Sequence, residues 1–195
     1  MHTPAHLAAS LFVWPKETRW ADAAAVAFGA VLPDLTMFLF YGYQKAIGTP
    51  EKEIWKTLYF EEQWQYCFDV FNSIPSAILL FIVFRWLKIR WAQLLVASAG
   101  LHMLCDLPVH HNDGHRHFLP ISNWRFESPV SYWDPAHFGL IFATLEFVFA
   151  ISALIFVMRK GEKPMSRIAI GTLTIYAMLI ALLVFVLARP SFCSP

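Results

Sequence analysis

Of 195 residues, 57% are hydrophobic, 16% aromatic and only 15% charged, well away from the soluble balance of about half apolar and a quarter charged. Lys and Arg number 15 against 14 Asp and Glu, so the net charge of +1 signals neither nucleic acid nor an acidic partner. The lipid bilayer, not water, is the solvent this chain is built for.

Residues 1–20 begin MHTPAHLAAS and reach their first basic residue only at Lys16. They lack the basic n-region and small-residue cleavage site of a secretory signal, so they belong to the mature protein. Pro4 to Trp14 is apolar but too short to span. Behind it the turn Trp14-Pro15-Lys16-Glu17-Thr18-Arg19 allows this stretch to fold back as a half-helix beside the first span. His6 would then rise about 15 Å from the turn.

Five stretches have the length and apolarity of spanning helices: Trp20 to Tyr43, Phe68 to Leu87, Trp91 to Leu107, Ala136 to Met158 and Arg167 to Leu187. No internal repeat interrupts them, and a single all-α, polytopic membrane domain is the expected fold class. Lys and Arg orient it. One side carries Lys16, Arg19, Arg85, Lys88, Arg90, Arg159, Lys160, Lys163 and Arg167, nine in all; the other carries Lys45, Lys52, Lys56, Arg116, Arg125 and Arg189, six in all. The positive-inside rule makes the first side cytoplasmic and leaves the loop from Pro108 to Pro135 outside. Three cysteines, Cys67, Cys105 and Cys193, form no CxxC pair and read as small apolar residues.

The chemistry gathers in one place. Five of eight histidines fall in His102-Met-Leu-Cys-Asp106-Leu-Pro-Val-His110-His111-Asn-Asp113-Gly-His115-Arg-His117. His102 and Asp106 are four residues apart near the end of the third span, which sets an imidazole and a carboxylate on one helical face. Zinc, manganese and iron accept such ligands. Gly29-Ala-Val-Leu-Pro33-Asp34 puts an acid directly after a proline inside a span, where a freed carbonyl needs a protein or aqueous partner. Counting about 1.5 Å per residue from the cytoplasmic ends, Asp34, Asn72, His102, Asp106 and Glu146 all lie roughly 16–22 Å up. One polar layer in the outer half of the membrane could collect them, and ionisable residues at such depth usually mark a site. Asp69, Asn72 and Ser73 open the second span, where N-capping is the plain reading of these residue types.

Thr3-Pro4-Ala5-His6-Leu7, Leu32-Pro33-Asp34 and His102-Met-Leu-Cys-Asp106 with Phe118-Leu-Pro120 resemble the YdjM-like membrane-bound metal-dependent hydrolases. The likeness covers three short motifs over about the first 120 residues. It implies a helical membrane protein with an early histidine, a proline–aspartate pair and a histidine/aspartate helix as metal ligands, and a hydrolytic activity. Two family features are missing: Thr36 stands where a second acid is usual, and Asn72-Ser73 stands for His-Ser.

The expectation from all of this is a hydrolase of an ester or phosphoester in a lipid or lipid-linked substrate. A divalent metal, zinc above others, would be held by His6, Asp34, His102, Asp106 and the loop histidines His111, His115 and His117. Asp113 or Glu146 would serve as general base, and Arg116 or Arg125 would bind a phosphate. The loop from 108 to 135, with Ser128-Pro-Val-Ser-Tyr-Trp-Asp134-Pro135, would cap the site from outside. A membrane di-iron oxygenase is disfavoured, because only His111 and His115 have an HxxxH spacing. The non-enzymatic alternative is a metal carrier, sensor or assembly factor.

Overall fold

A computed structural model describes residues 1–187, with side chains as far as Ala181. Arg189 and Cys193 lie outside the described residues. Eight α-helices and three single 3₁₀ turns account for the described elements: α1 Thr3–Val13, α2 Trp20–Ala46, α3 Glu51–Lys56, α4 Glu62–Phe71, α5 Ile74–Trp86, α6 Arg90–Asp106, α7 Gly139–Lys160 and α8 Lys163–Leu187. Five segments are long and apolar enough to cross a membrane: Trp20–Ala46, Glu62–Trp86, Arg90–Val109, Gly139–Lys160 and Lys163–Ala181. The five expected spans are therefore present. The second differs in form.

That second span starts earlier than Phe68 and is broken in the middle. Asn72 ends α4, and the Ser73 hydroxyl caps α5 by accepting from the Ser76 amide at 3.1 Å. A Pro at position 75 fits the first turn of α5, where no intrahelical donor is needed. The groups freed by the break are taken up by the outer loop. The Ile74 amide donates to the His117 carbonyl at 2.8 Å, and the Ser73 hydroxyl donates to the Leu119 carbonyl at 2.5 Å. A broken helix at membrane depth needs such partners.

Small residues bring the inner helices together. Ala5, Ala8, Ala23, Ala150 and Ala153 are buried in one core with Leu11, Val26, Leu154 and Met165, which joins α1, α2, α6, α7 and α8. In lipid there is no hydrophobic drive between helices, so close backbone approach and hydrogen bonds do this work. Gly29 shows how close: a Cβ there would sit 2.1 Å from the Leu95 carbonyl oxygen of α6. The Ser98 hydroxyl of α6 lies 2.9 Å from Ser10 Oγ of α1 and 2.7 Å from the Val26 carbonyl of α2. It ties together the three helices that carry His6, Asp34 and His102. Conversely, α5 buries no residue, and Ile78, Leu79 and Ile82 on it are exposed, as a lipid-facing helix requires.

The two ends of the bundle differ in chemistry. At one end the turns after α1, α5 and α7 meet: Arg90 pairs with Glu17 at 2.8 Å and with Asp22 at 3.2 Å, and the Glu162 amide donates to the Pro15 carbonyl. At the other end, α3, the start of α4 and the loop after α6 close over the bundle. There Phe40, Ile54, Tyr59 and Phe68 form a second, mostly aromatic core.

Candidate metal centre

α1 does fold back along α2, and His6 is carried into the bundle with Ala5, Ala8 and Ala9. Its ring stacks on His102 of α6, with centroids 3.6 Å apart and planes within 15°. His6 Nε2 lies 2.9 Å from Asp106 Oδ1, and His102 Nε2 lies 3.0 Å from Asp106 Oδ2. His6, His102 and Asp106 are 1%, 1% and 3% exposed, so none of the three is solvated.

The tautomer of His102 follows from its other nitrogen. Nδ1 lies 2.8 Å from the Ala30 carbonyl and must donate to it, which leaves Nε2 as a bare lone pair when the ring is neutral. That carbonyl belongs to the turn of α2 just before Pro33. Nε2 then faces two carboxylate oxygens, Asp106 Oδ2 and Asp34 Oδ1, the latter at 3.5 Å. A lone pair facing two carboxylates is stable only with a cation between them or a proton on the ring. His6 Nε2 and His102 Nε2 lie 2.9 and 3.0 Å from Asp106 oxygens without an aligned hydrogen bond, and His6 Nδ1 has no partner. The ligand atoms of His6, His102 and Asp106 lie within 4.8 Å of one another. This buried group can hold a metal ion, and its two nitrogens and a carboxylate oxygen are a donor set that first-row divalent metals accept.

Around the group, further side chains fix its members. Asp34 accepts from the Thr3 hydroxyl of α1 through Oδ2, and its side chain keeps 14% exposure. The amino group of Met1 lies 2.5 Å from Asp106 Oδ1. His110 Nε2 stands 3.2 Å from Asp106, and His110 Nδ1 stands 3.1 Å from Asp113. Burial opposes charge on His110, but Asp106 and Asp113 outweigh it and push its pKa up to about 9. Burial likewise opposes charge on Asp113, and His110 together with the Trp133 indole, which donates at 2.8 Å, holds its carboxyl below the usual range.

The remaining candidates lie elsewhere. His111 stacks on His137 with centroids 3.6 Å apart, away from the buried group. His115 Nδ1 is 3.2 Å from Asp69, and His117 Nδ1 donates to the Asn72 carbonyl at 2.9 Å. Desolvation drives the His117 pKa down to about 4, so its imidazole is neutral. Arg116 is committed to Asp69 at 2.5 Å and Glu62 at 2.6 Å, and Arg125 reaches Gln65 at 3.1 Å. Glu146 accepts from the His2 amide at 2.9 Å and faces the His2 ring at 2.8 Å. Asn72 donates to Phe68 at 3.0 Å and to the Pro33 carbonyl at 3.5 Å, one residue from Asp34.

Sequence reasoning did not choose His110. Its signal was present as a repeated four-residue step, His102, Asp106, His110, which continues one helical face through the 3₁₀ turn Leu107–Val109. Beside this line opens a cavity of about 630 Å³ whose walls include Met37, Tyr59, Asn112, Asp113, Tyr132 and Trp133. Met37 is one helical turn beyond Asp34, and the Tyr132 ring lies 4.9 Å from the His110 ring. Comparison with protein families, with curated proteins and with solved structures gives no match.

Proposed function

We propose that this chain is a membrane-embedded, metal-dependent hydrolase acting on an ester or phosphoester of a lipid or lipid-linked substrate. The observation that carries the reading is the buried His6–His102–Asp106 group: both Nε2 atoms face carboxylate oxygens without an aligned hydrogen bond, beside a cavity at the loop end of the bundle. His6, His102 and Asp106 hold the ion, zinc being the first choice for two imidazoles and a carboxylate. When bound, such an ion lowers the pKa of a coordinated water to about 7 and polarises the scissile group.

The chain's own residues supply the rest. Asp34, partly exposed and aimed by Thr3, takes the proton from the attacking water. The water oxygen bonds to the acyl carbon or phosphorus, the bond to the alcohol oxygen breaks, and the departing alkoxide takes the proton back from Asp34. Asp113, on the cavity wall, holds His110 against Asp106. Aromatic walls around Tyr59, Tyr132 and Trp133 receive the apolar part of the substrate at the interface. The sequence motifs shared with the YdjM-like hydrolases support this reading, as does the residue set itself. The basic end of the bundle faces the cytoplasm of a bacterial inner membrane, and the site lies near the opposite face.

A carrier, sensor or assembly factor is the rival, and one observation favours it: the ligand group is 1–3% exposed, enclosed more tightly than an open catalytic metal needs. Purified protein in detergent tests both readings. Hydrolysis of a short-chain ester or phosphodiester that disappears with His102→Ala supports the hydrolase. Zinc flux into proteoliposomes without turnover would replace it with the carrier.

A further inference from the structure

Tyr132 stands on the wall of the cavity beside the buried group, and the loop that carries it is bolted to the end of α6. Its amide donates to the Val109 carbonyl at 3.0 Å, in the 3₁₀ turn that follows Asp106. The Ser128 amide donates to the His110 carbonyl at 3.0 Å, and the Ser128 hydroxyl donates to the Pro108 carbonyl at 2.5 Å. Ser131, fully buried, accepts on its hydroxyl oxygen from the Trp133 amide at 3.3 Å and the Asp134 amide at 3.1 Å. The side chain is fixed as well. Its ring meets His2 edge-on and His110 at a tilt, each at 4.9 Å between centroids.

The hydroxyl at the tip of this ring is left over. Carboxylates around it are committed to other groups: Asp113 to His110 and to the Trp133 indole, Asp106 to His6 and His102, and Asp34 to Thr3. Among the described residues the Tyr132 hydroxyl has no hydrogen-bond partner. Burial, with the Asp113 and Asp106 carboxylates behind it, pushes the phenol well above its usual range, so it keeps its proton at neutral pH. A half-buried O–H with no acceptor in the protein costs free energy unless water or a ligand in the cavity accepts from it.

We propose that Tyr132 is a catalytic residue whose hydroxyl donates a hydrogen bond to the carbonyl or phosphoryl oxygen of the scissile group as that oxygen gains negative charge. The role rests on hydrolysis at the buried group. As the water oxygen bonds to the acyl carbon or phosphorus, an electron pair moves onto that oxygen, and it returns when the bond to the alcohol oxygen breaks. The phenol proton stays on Tyr132 throughout. A donor already held in place by the loop, His2 and His110 needs no reorganisation when the charge develops. The amphipathic phenol serves both ends of the substrate, its ring against the apolar part and its hydroxyl at the reacting group.

The test is steady-state hydrolysis of p-nitrophenyl butyrate and bis-p-nitrophenyl phosphate by full-length, zinc-loaded protein in detergent, wild type against Tyr132→Phe. The variant keeps the ring and its packing and removes only the hydroxyl. Size-exclusion profile and helical circular dichroism identify folded protein. On whichever substrate the wild type turns over, kcat should fall about 10²- to 10³-fold, the loss expected for one oxyanion donor. KM and zinc content should stay unchanged, since the hydrogen bond strengthens only in the transition state. Unchanged kcat, a raised KM with unchanged kcat, or loss of zinc from folded Tyr132→Phe would overturn the catalytic role and leave the hydrolase standing. No turnover of either substrate by zinc-loaded wild type would instead count against the hydrolase itself, and the role of Tyr132 would fall with it.

Discussion

Two pairs of stacked histidines at the same ring separation of 3.6 Å sit in opposite environments. The His6/His102 pair is closed off among α1, α2 and α6, with Asp106 and Asp34 aimed at its ring nitrogens. The His111/His137 pair sits in the outer loop with its Nδ1 atoms satisfied and one member a third exposed. Burial makes the difference chemical. In the bundle an uncompensated carboxylate costs several kcal/mol, so Asp106 and Asp34 need positive partners, which the Met1 amino group, a protonated ring or a bound ion supplies. In the loop water does that work.

The sharpest break between the two pairs is expected from His102→Ala. It removes a ligand and leaves Asp106 and Asp34 without the ring between them, so turnover should fall below detection and the zinc should be lost, whereas His137→Phe in the outer pair should change neither. Unchanged turnover in folded His102→Ala would take the inner pair out of the chemistry. Asp34→Asn is the next step down. It should lower kcat about 10²- to 10⁴-fold, the range for a lost general base, with zinc content unchanged. An unchanged kcat would remove Asp34 from the chemistry.

His117 separates charge balance from metal binding. It is 2% exposed, and its pKa of about 4 lies below the unperturbed 6.5. The unfolded chain thus binds the proton that the folded chain refuses. Stability due to this group is complete above pH 6.5 and is lost as pH falls towards 4, up to about 3 kcal/mol. Thermal denaturation of His117→Gln should show a shallower acid slope than wild type between those limits; parallel slopes would count against it. Gly29→Ala tests the helix contact that lets the inner pair meet. The added methyl group has no room against Leu95, and overpacking of this kind costs about 1–3 kcal/mol. A lower Tm with a weaker zinc site is expected. His137→Phe completes the series with the smallest effect, no change in Tm, turnover or zinc content.

Much of the fold was legible because spans depend on run length and apolarity alone, which need no partners to be recognised. The half-helix of α1 was legible for a related reason: Pro4 to Trp14 is too short to cross, and Pro15 follows it. The broken second span was not. Phe68 to Leu87 reads as continuous, and the break at Asn72-Ser73 exists because the distant loop supplies partners through His117 and Leu119. The site divides the same way. His102 and Asp106 share a helical face and could be paired by spacing, and Asp34 was marked by Pro33. Which loop histidines would join them could not be read, since that depends on how residues 107–138 fold. His110 was carried in by the helical step, whereas His111 pointed to His137, a residue with no sequence signal of its own. Arg116 looked free for phosphate, but only the folded loop shows Asp69 and Glu62 holding it.

Metal content of the folded protein and of its His102→Ala variant tests the inner site most directly. Wild type should retain one zinc per chain after dialysis, and folded His102→Ala none. Zinc retained by folded His102→Ala, or no zinc in wild type, would contradict a metal held by His6, His102 and Asp106.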